Sequence, residues 1–256
     1  MARWSWIAFA IALPATAFAQ TPEEKGTAIA RAADAANSGY GGEQADLEMT
    51  LVNAQGDEVK RRLAMRIAEM PDDGDRSLIT FEWPADVKGT RMLTWSHRKD
   101  DDDQWLFLPT LKRVKRIAAR GKSGAFMGSE FAYEDLGSSE VDKYAWTFER
   151  EESIEGRPCQ VLGRVPKDKR SGYSRQVVWL DDGYQQAVRI EFFDRKGELL
   201  KTMTFSHFTQ YGKYWRANLI EVSNHQTHKR SMLAWTKRSV GGGAAPEDFD
   251  PDALGD

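Results

Sequence analysis

With a single cysteine, Cys159, in 256 residues, the chain has no internal disulfide. An exported chain of this kind must be held by an apolar core, which this length can supply. Cys159 sits in an apolar run and reads as a small buried strand residue, with a reactive thiol or intermolecular bridge as the alternative. Histidine is scarce too: His97, His207, His225 and His228 are scattered, and no Cys or Glu stands at the spacing a zinc site needs. No nucleophile elbow, phosphate-cradling glycine loop or metalloprotease helix occurs, so no catalytic residue, cofactor or metal ligand is assigned. Charge of one sign is lacking as well. The 36 Lys and Arg against 39 Asp and Glu leave a net charge of -3, and that mild acidity argues against nucleic acid as a partner.

What is present begins with an apolar leader, MARWSWIAFAIALPATAFA. Arg3, the run Trp4 to Leu13 and the small-x-small triplet Ala17-Phe18-Ala19 predict a signal peptide over residues 1–19, cleaved after Ala19. The run is shorter than the roughly 20 residues of a bilayer span and Pro14 interrupts it, which disfavours a membrane anchor. Loss of Arg3 would take the net charge from -3 to -4. Residues 20–256 are expected to form one domain with a flexible acidic tail, in which Phe249 and Leu254 could still pack on the sheet.

Thr21, Pro22, Glu23 and Glu24 form a helix start, and Gly39, Gly41 and Gly42 stop the helix after a stripe of alanines. From Ala45 the period changes to two. Leu47, Met49 and Leu51 share a face, NAQGDE turns the chain, and Leu63, Met65 and Ile67 return opposite Arg62 and Arg66. The pattern continues through Ser77 to Trp83, Met92 to His97 and Trp105 to Leu108, then through seven further runs between Tyr144 and Val240. Short turns join them, which predicts an antiparallel meander of about a dozen strands that curls into a barrel or splits into a sandwich.

Three segments between Gly89 and Ser139 carry more information. The acidic turn Lys99 to Asp103 lacks the alternating ligands, glycine and distal glutamate of a calcium loop, and reads as a solvated hairpin tip. LKRVKRIAARGK, residues 111–122, holds six cations; on a strand Lys112 and Arg116 face one way and Arg113 and Lys115 the other. It is either an exposed edge guarded by charge or a docking strip for anionic headgroups or an acidic partner. SGAFMGSEFAYEDLGSS, residues 123–139, is a mobile flap closing on an apolar ligand through Phe126, Met127, Phe131 and Tyr133, or a loop whose aromatics pack on the sheet. Seven tryptophans follow the leader, Trp83, Trp95, Trp105, Trp146, Trp179, Trp215 and Trp235, and either fill a wide barrel or line a cavity in it.

The segments QWLFLP, LKRVKRI, FMGSEFAYEDL, SGYSRQVVW and VSNHQT resemble the outer membrane lipoprotein-sorting protein family, whose members share the LolA-like carrier fold. The resemblance implies a mainly β, antiparallel half-open β-barrel with an N-terminal helix and a flap or lid over the concave face. It implies a periplasmic, non-enzymatic carrier or chaperone for lipid or lipoprotein acyl chains, without cofactor, touching the membrane surface transiently. An RND/MMPL-type inner-membrane exporter is the implied partner. Trp83, Trp95, Trp105, Phe107, Phe126, Met127 and Phe131 are the expected lipid contacts, and Lys112, Arg113, Lys115 and Arg116 the expected headgroup or partner contacts. The alternative is a periplasmic interaction or sensory module without lipid cargo.

Overall fold

The structure is a computed structural model, and it describes residues 20–242 and 244–255; the leader expected over residues 1–19 lies outside the described residues. Helix α1 (Pro22–Asn37) starts where the sequence places it. The Thr21 hydroxyl accepts from the Glu24 backbone N–H while the Glu24 carboxylate accepts from the Thr21 N–H, a reciprocal cap. Gly26 is buried because the helix lies on a strand: a Cβ there would stand 2.5 Å from the Phe148 backbone nitrogen.

Fifteen strands follow: β1 (Gly42–Val52), β2 (Glu58–Ala68), β3 (Arg76–Trp83), β4 (Arg91–Trp95), β5 (Asp103–Leu108), β6 (Arg113–Arg116), β7 (Tyr144–Ile154), β8 (Arg157–Pro166), β9 (Tyr173–Asp181), β10 (Gln186–Asp194), β11 (Leu199–Ser206), β12 (Thr209–Tyr211), β13 (Tyr214–Arg216), β14 (Leu219–Asn224) and β15 (Arg230–Val240). Thirteen form one antiparallel sheet in the order β6-β5-β4-β3-β2-β1-β15-β14-β11-β10-β9-β8-β7. The β1–β15 pairing joins the first and last strands at the middle, and among the described residues β6 and β7 are left as the edges. The barrel is therefore half open. β12 and β13 form a separate hairpin, because the run expected as one strand from Tyr214 to Ser223 breaks at Asn218, whose N–H turns back to the Ser206 carbonyl.

Alternation gives the sheet two apolar faces. On the concave face Met49, Leu63, Phe81, Met92, Leu106, Leu162, Ile190 and Met203 meet Ala30 of α1 and Phe126, Phe131 and Val141 of the 117–143 connection. On the outer face Leu93 packs with Trp95, Trp105 and Phe107, and the C-terminal Phe249 and Leu254 cover them. The tail, expected to be flexible, is thus pinned: Phe249 and Leu254 are buried, and the Trp95 indole donates to the Phe249 carbonyl at 2.8 Å.

Candidate functional site

The connection from β6 to β7 crosses the concave side from one free edge of the sheet to the other. Its centre is a small hairpin, with an Ala125–Ala132 bridge and the Phe126 N–H donating to the Phe131 carbonyl at 2.7 Å. Phe126 is fully buried, 5.8 Å from the Phe81 ring and 5.7 Å from Tyr133. Polar contacts fasten the flap to the sheet. Arg61 of β2 donates to the Met127 carbonyl at 2.6 Å, and the Glu130 N–H donates to Ser231 of β15 at 3.0 Å. Lys201 of β11 donates to the Glu130 carbonyl at 2.9 Å and to the Asp135 carboxylate at 2.6 Å. The Tyr173 hydroxyl of β9 donates to the other Asp135 oxygen at 2.8 Å. Both side chains of the Lys201–Asp135 pair are almost wholly buried, and the pair is sustained because further hydrogen bonds satisfy it.

The acidic turn also serves this closure. Instead of standing free as a solvated tip, Asp101 pairs with Arg170 of the β8–β9 loop, Asp102 with Lys143 at the far end of the flap, and Asp103 with Arg116. Two of these pairs reach across the open gap. The physical reason is that the gap places the β4–β5 turn opposite the cations that precede β7 and β9.

Beneath the flap lies a cavity of about 320 Å³, at the small end of the range for ligand pockets. Its apolar wall includes Met49, Met65, Ile79, Phe131, Met203 and Leu233; its polar side is formed by Glu134, Asp135, Arg164, Tyr173 and Gln176. Burial pushes the Tyr173 hydroxyl well up from its ordinary value and raises the Glu134 carboxyl, and burial pulls the Arg164 guanidinium down. A second cavity of about 440 Å³ lies between α1 and the sheet and shares Ser138, Ser139, Arg164, Ile190 and Phe205 with the first. Here burial raises the Asp75 carboxyl to about 6, although the Tyr40 hydroxyl donates to it at 2.6 Å.

Of the seven expected lipid contacts, Phe126 and Phe131 line the first cavity. Met127 takes a left-handed backbone conformation (φ 49°) and packs at the core's margin. The other four are placed elsewhere, which corrects the expectation that they face the concave side. Trp105 and Phe107 alternate with the inward Gln104 and Leu106, and Trp95 with the inward Thr94, so all three point to the outer face and lie under the tail. Trp83 ends β3 exposed, with the Arg62 guanidinium 5.7 Å from its ring. Arg113, Lys115 and Arg116 lie on exposed edge strand β6, and Lys112 is in the turn before it with φ 46°. Arg116 pairs with Asp103, and this strip is separate from the cavity lining. Sequence reading missed Met49, Met65, Ile79 and Arg164 as site residues. The alternation signal held the first two, and a lone cation in the apolar run CQVLGRV marked the last.

Among the described residues no helix is long and apolar enough to cross a membrane, which says nothing of strands, and no group of three or more His, Cys, Asp or Glu could hold a metal ion.

A half-open antiparallel barrel with a helix at one end and a flap closed over an apolar cavity defines the LolA-like class of folds. An outer membrane lipoprotein-sorting protein domain from Vibrio parahaemolyticus is 46% identical to the chain, with a TM-score of 0.89, over 91% of this chain and 100% of that one. A DUF1329 family protein from Desulfovibrio piger is 28% identical with a TM-score of 0.87, over 92% of this chain and 100% of that one. A LolA superfamily protein from Nitrosomonas europaea, 19% identical with a TM-score of 0.71 over 91% of this chain and 99% of that one, shares the fold. A family model with the description "Uncharacterized protein" matches residues 73–256. No curated protein matches the chain. The chain belongs to the outer membrane lipoprotein-sorting protein family and has the LolA-like fold.

Proposed function

We propose that the protein is a periplasmic carrier that holds an acyl chain of a lipid or lipoprotein in the cavity beneath the flap. The observation that carries this reading is the cavity itself, apolar on most of its wall and covered by a segment that joins the two free edges of the sheet. Each methylene buried contributes about 0.8 kcal/mol, so a chain of roughly sixteen carbons represents about 12 kcal/mol of transfer from water. A carrier has to offer nearly that much, yet little more, or delivery fails. Methionine suits such a wall because it adapts to irregular shapes, and Met49, Met65 and Met203 supply it. No covalent step or cofactor is needed.

On this reading residues 1–19 direct export and are removed, and residues 20–256 work as one domain. The exposed cations Lys112, Arg113, Lys115 and Arg116 dock the loaded carrier on an anionic membrane surface or on an RND/MMPL-type inner-membrane exporter. The edge position of β6 favours a second reading, a module whose basic strip contacts a partner protein while lipid plays no part. Native mass spectrometry with lipid extraction, on protein isolated from a periplasm, separates the two. A co-purifying acyl lipid that is lost in Ile79→Glu supports the carrier. A bare mass, with no uptake from offered vesicles, moves the function to the basic strip.

A further inference from the structure

Three arginines line the two cavities. Arg98 lies 3.9 Å from the Glu140 carboxylate and Arg216 lies 3.7 Å from Glu43. Arg164 differs, having no carboxylate at ion-pair distance among the described residues, although it is 7% exposed. β8 turns it inward, on the same face as Leu162, and directly opposite Gln176 of β9. Its Nε donates to the Gln176 side-chain oxygen at 2.6 Å and Nη1 to the Ser139 hydroxyl at 2.5 Å, while the guanidinium lies 4.3 Å from the Tyr144 ring centre. Nη2 has no hydrogen-bond partner among the described residues. A guanidinium cannot shed its proton to escape burial, and buried charges are ordinarily paired. The two carboxyls that line the first cavity are already engaged: Asp135 by Lys201 and Tyr173, and Glu134 by the Ser171 hydroxyl and the Gly172 N–H at 2.7 and 2.8 Å.

We infer that Arg164 receives the anionic headgroup, a carboxylate or a phosphate, of an amphiphile whose single chain fills the 320 Å³ cavity. This rests on the carrier reading and adds the polarity and chain number of the cargo. Arg164 stands in the wall common to both cavities, so a headgroup bound there leaves its chain on the apolar side and its outer substituents on the side of α1. Ser139 and Gln176 hold two guanidinium donors in place and leave Nη2 to donate to an anion oxygen.

The test is equilibrium binding of dodecanoate, dodecyl phosphate and neutral methyl dodecanoate to the delipidated protein. At least one of the two anions is expected to bind about 10-fold or more tighter than the ester, the worth of a charge-assisted hydrogen bond. The preferred anion tells a carboxylate from a phosphate. In Arg164→Gln that preference should fall to about one while the ester still binds, and Arg164→Lys should keep part of it. Should Arg164→Gln not fold, the wild-type ratio alone decides. Equal binding of all three overturns the headgroup assignment and leaves the carrier standing. Binding of none overturns both.

Discussion

The two faces of the one sheet use the same kinds of side chain to opposite ends. On the outer face Leu93, Trp95, Trp105 and Phe107 are sealed by Phe249 and Leu254 from the chain's own C-terminal end, so this cluster is filled by the chain itself. On the concave face the flap buries Phe126 against Phe81 but stops short of Met49, Met65 and Ile79, and a cavity remains. The outer cover combines apolar packing with hydrogen bonds from Trp95 and Arg91 to the tail's carbonyls, whereas the inner cover is fastened by a buried ion pair as well as hydrogen bonds. A polar fastening is directional and fixes where the flap sits; it does not fill the space beneath. Both faces carry aromatic side chains, so what separates a core from a candidate cargo site is which segment covers it.

The comparison breaks most severely at the polar fastening. Lys201→Met strands the Asp135 carboxylate inside the protein and should cost roughly 3–5 kcal/mol in a denaturant titration, with much of that regained in the double variant Lys201→Met/Asp135→Leu. On the outer face Phe249→Ala should cost roughly 3 kcal/mol and leave acyl-chain uptake unchanged; uptake that falls in parallel would mean that the outer cluster is part of the site.

A smaller, pH-dependent effect belongs to Asp75 in the cavity beside α1. Its folded value, about 6, lies above the ordinary 3.8, so its ionisation opposes folding. That cost is absent below about pH 4, grows as pH rises to about 6 and is constant above. Asp75→Asn should therefore gain up to roughly 2–3 kcal/mol at pH 7 and nothing at pH 3.5, as thermal unfolding across pH would reveal. Last, replacing Lys112, Arg113 and Lys115 by Glu, with Arg116 kept beside Asp103, should leave the melting temperature and the cargo nearly unchanged. Transfer to anionic vesicles should drop; transfer that stays at the wild-type rate would remove the basic strip from any docking role.

The strands were legible because a period of two survives in β1 to β5 and in the later runs, and the helix start was legible because its cap is local. The pairing of β1 with β15, which leaves β6 and β7 as edges, joins residues nearly two hundred positions apart and has no local signature. Alternation revealed that β4 and β5 had two faces, without telling which one the tail would cover; Trp95, Trp105 and Phe107 were expected on the wrong one for that reason. The aspartates of the acidic turn looked solvated because their partners, Arg170 and Lys143, come from beyond the flap. Within the site, Phe126 and Phe131 were readable from the flap's own composition. Arg164 gains its meaning only from what fails to stand beside it.

Photocrosslinking with a diazirine-bearing fatty acid, followed by peptide mapping, tests the division between the faces most directly. The account predicts label on Met49, Met65, Ile79 or Phe131 of the concave side. Label confined to Trp95, Trp105 and the 249–254 tail, or no specific label at all, would contradict it.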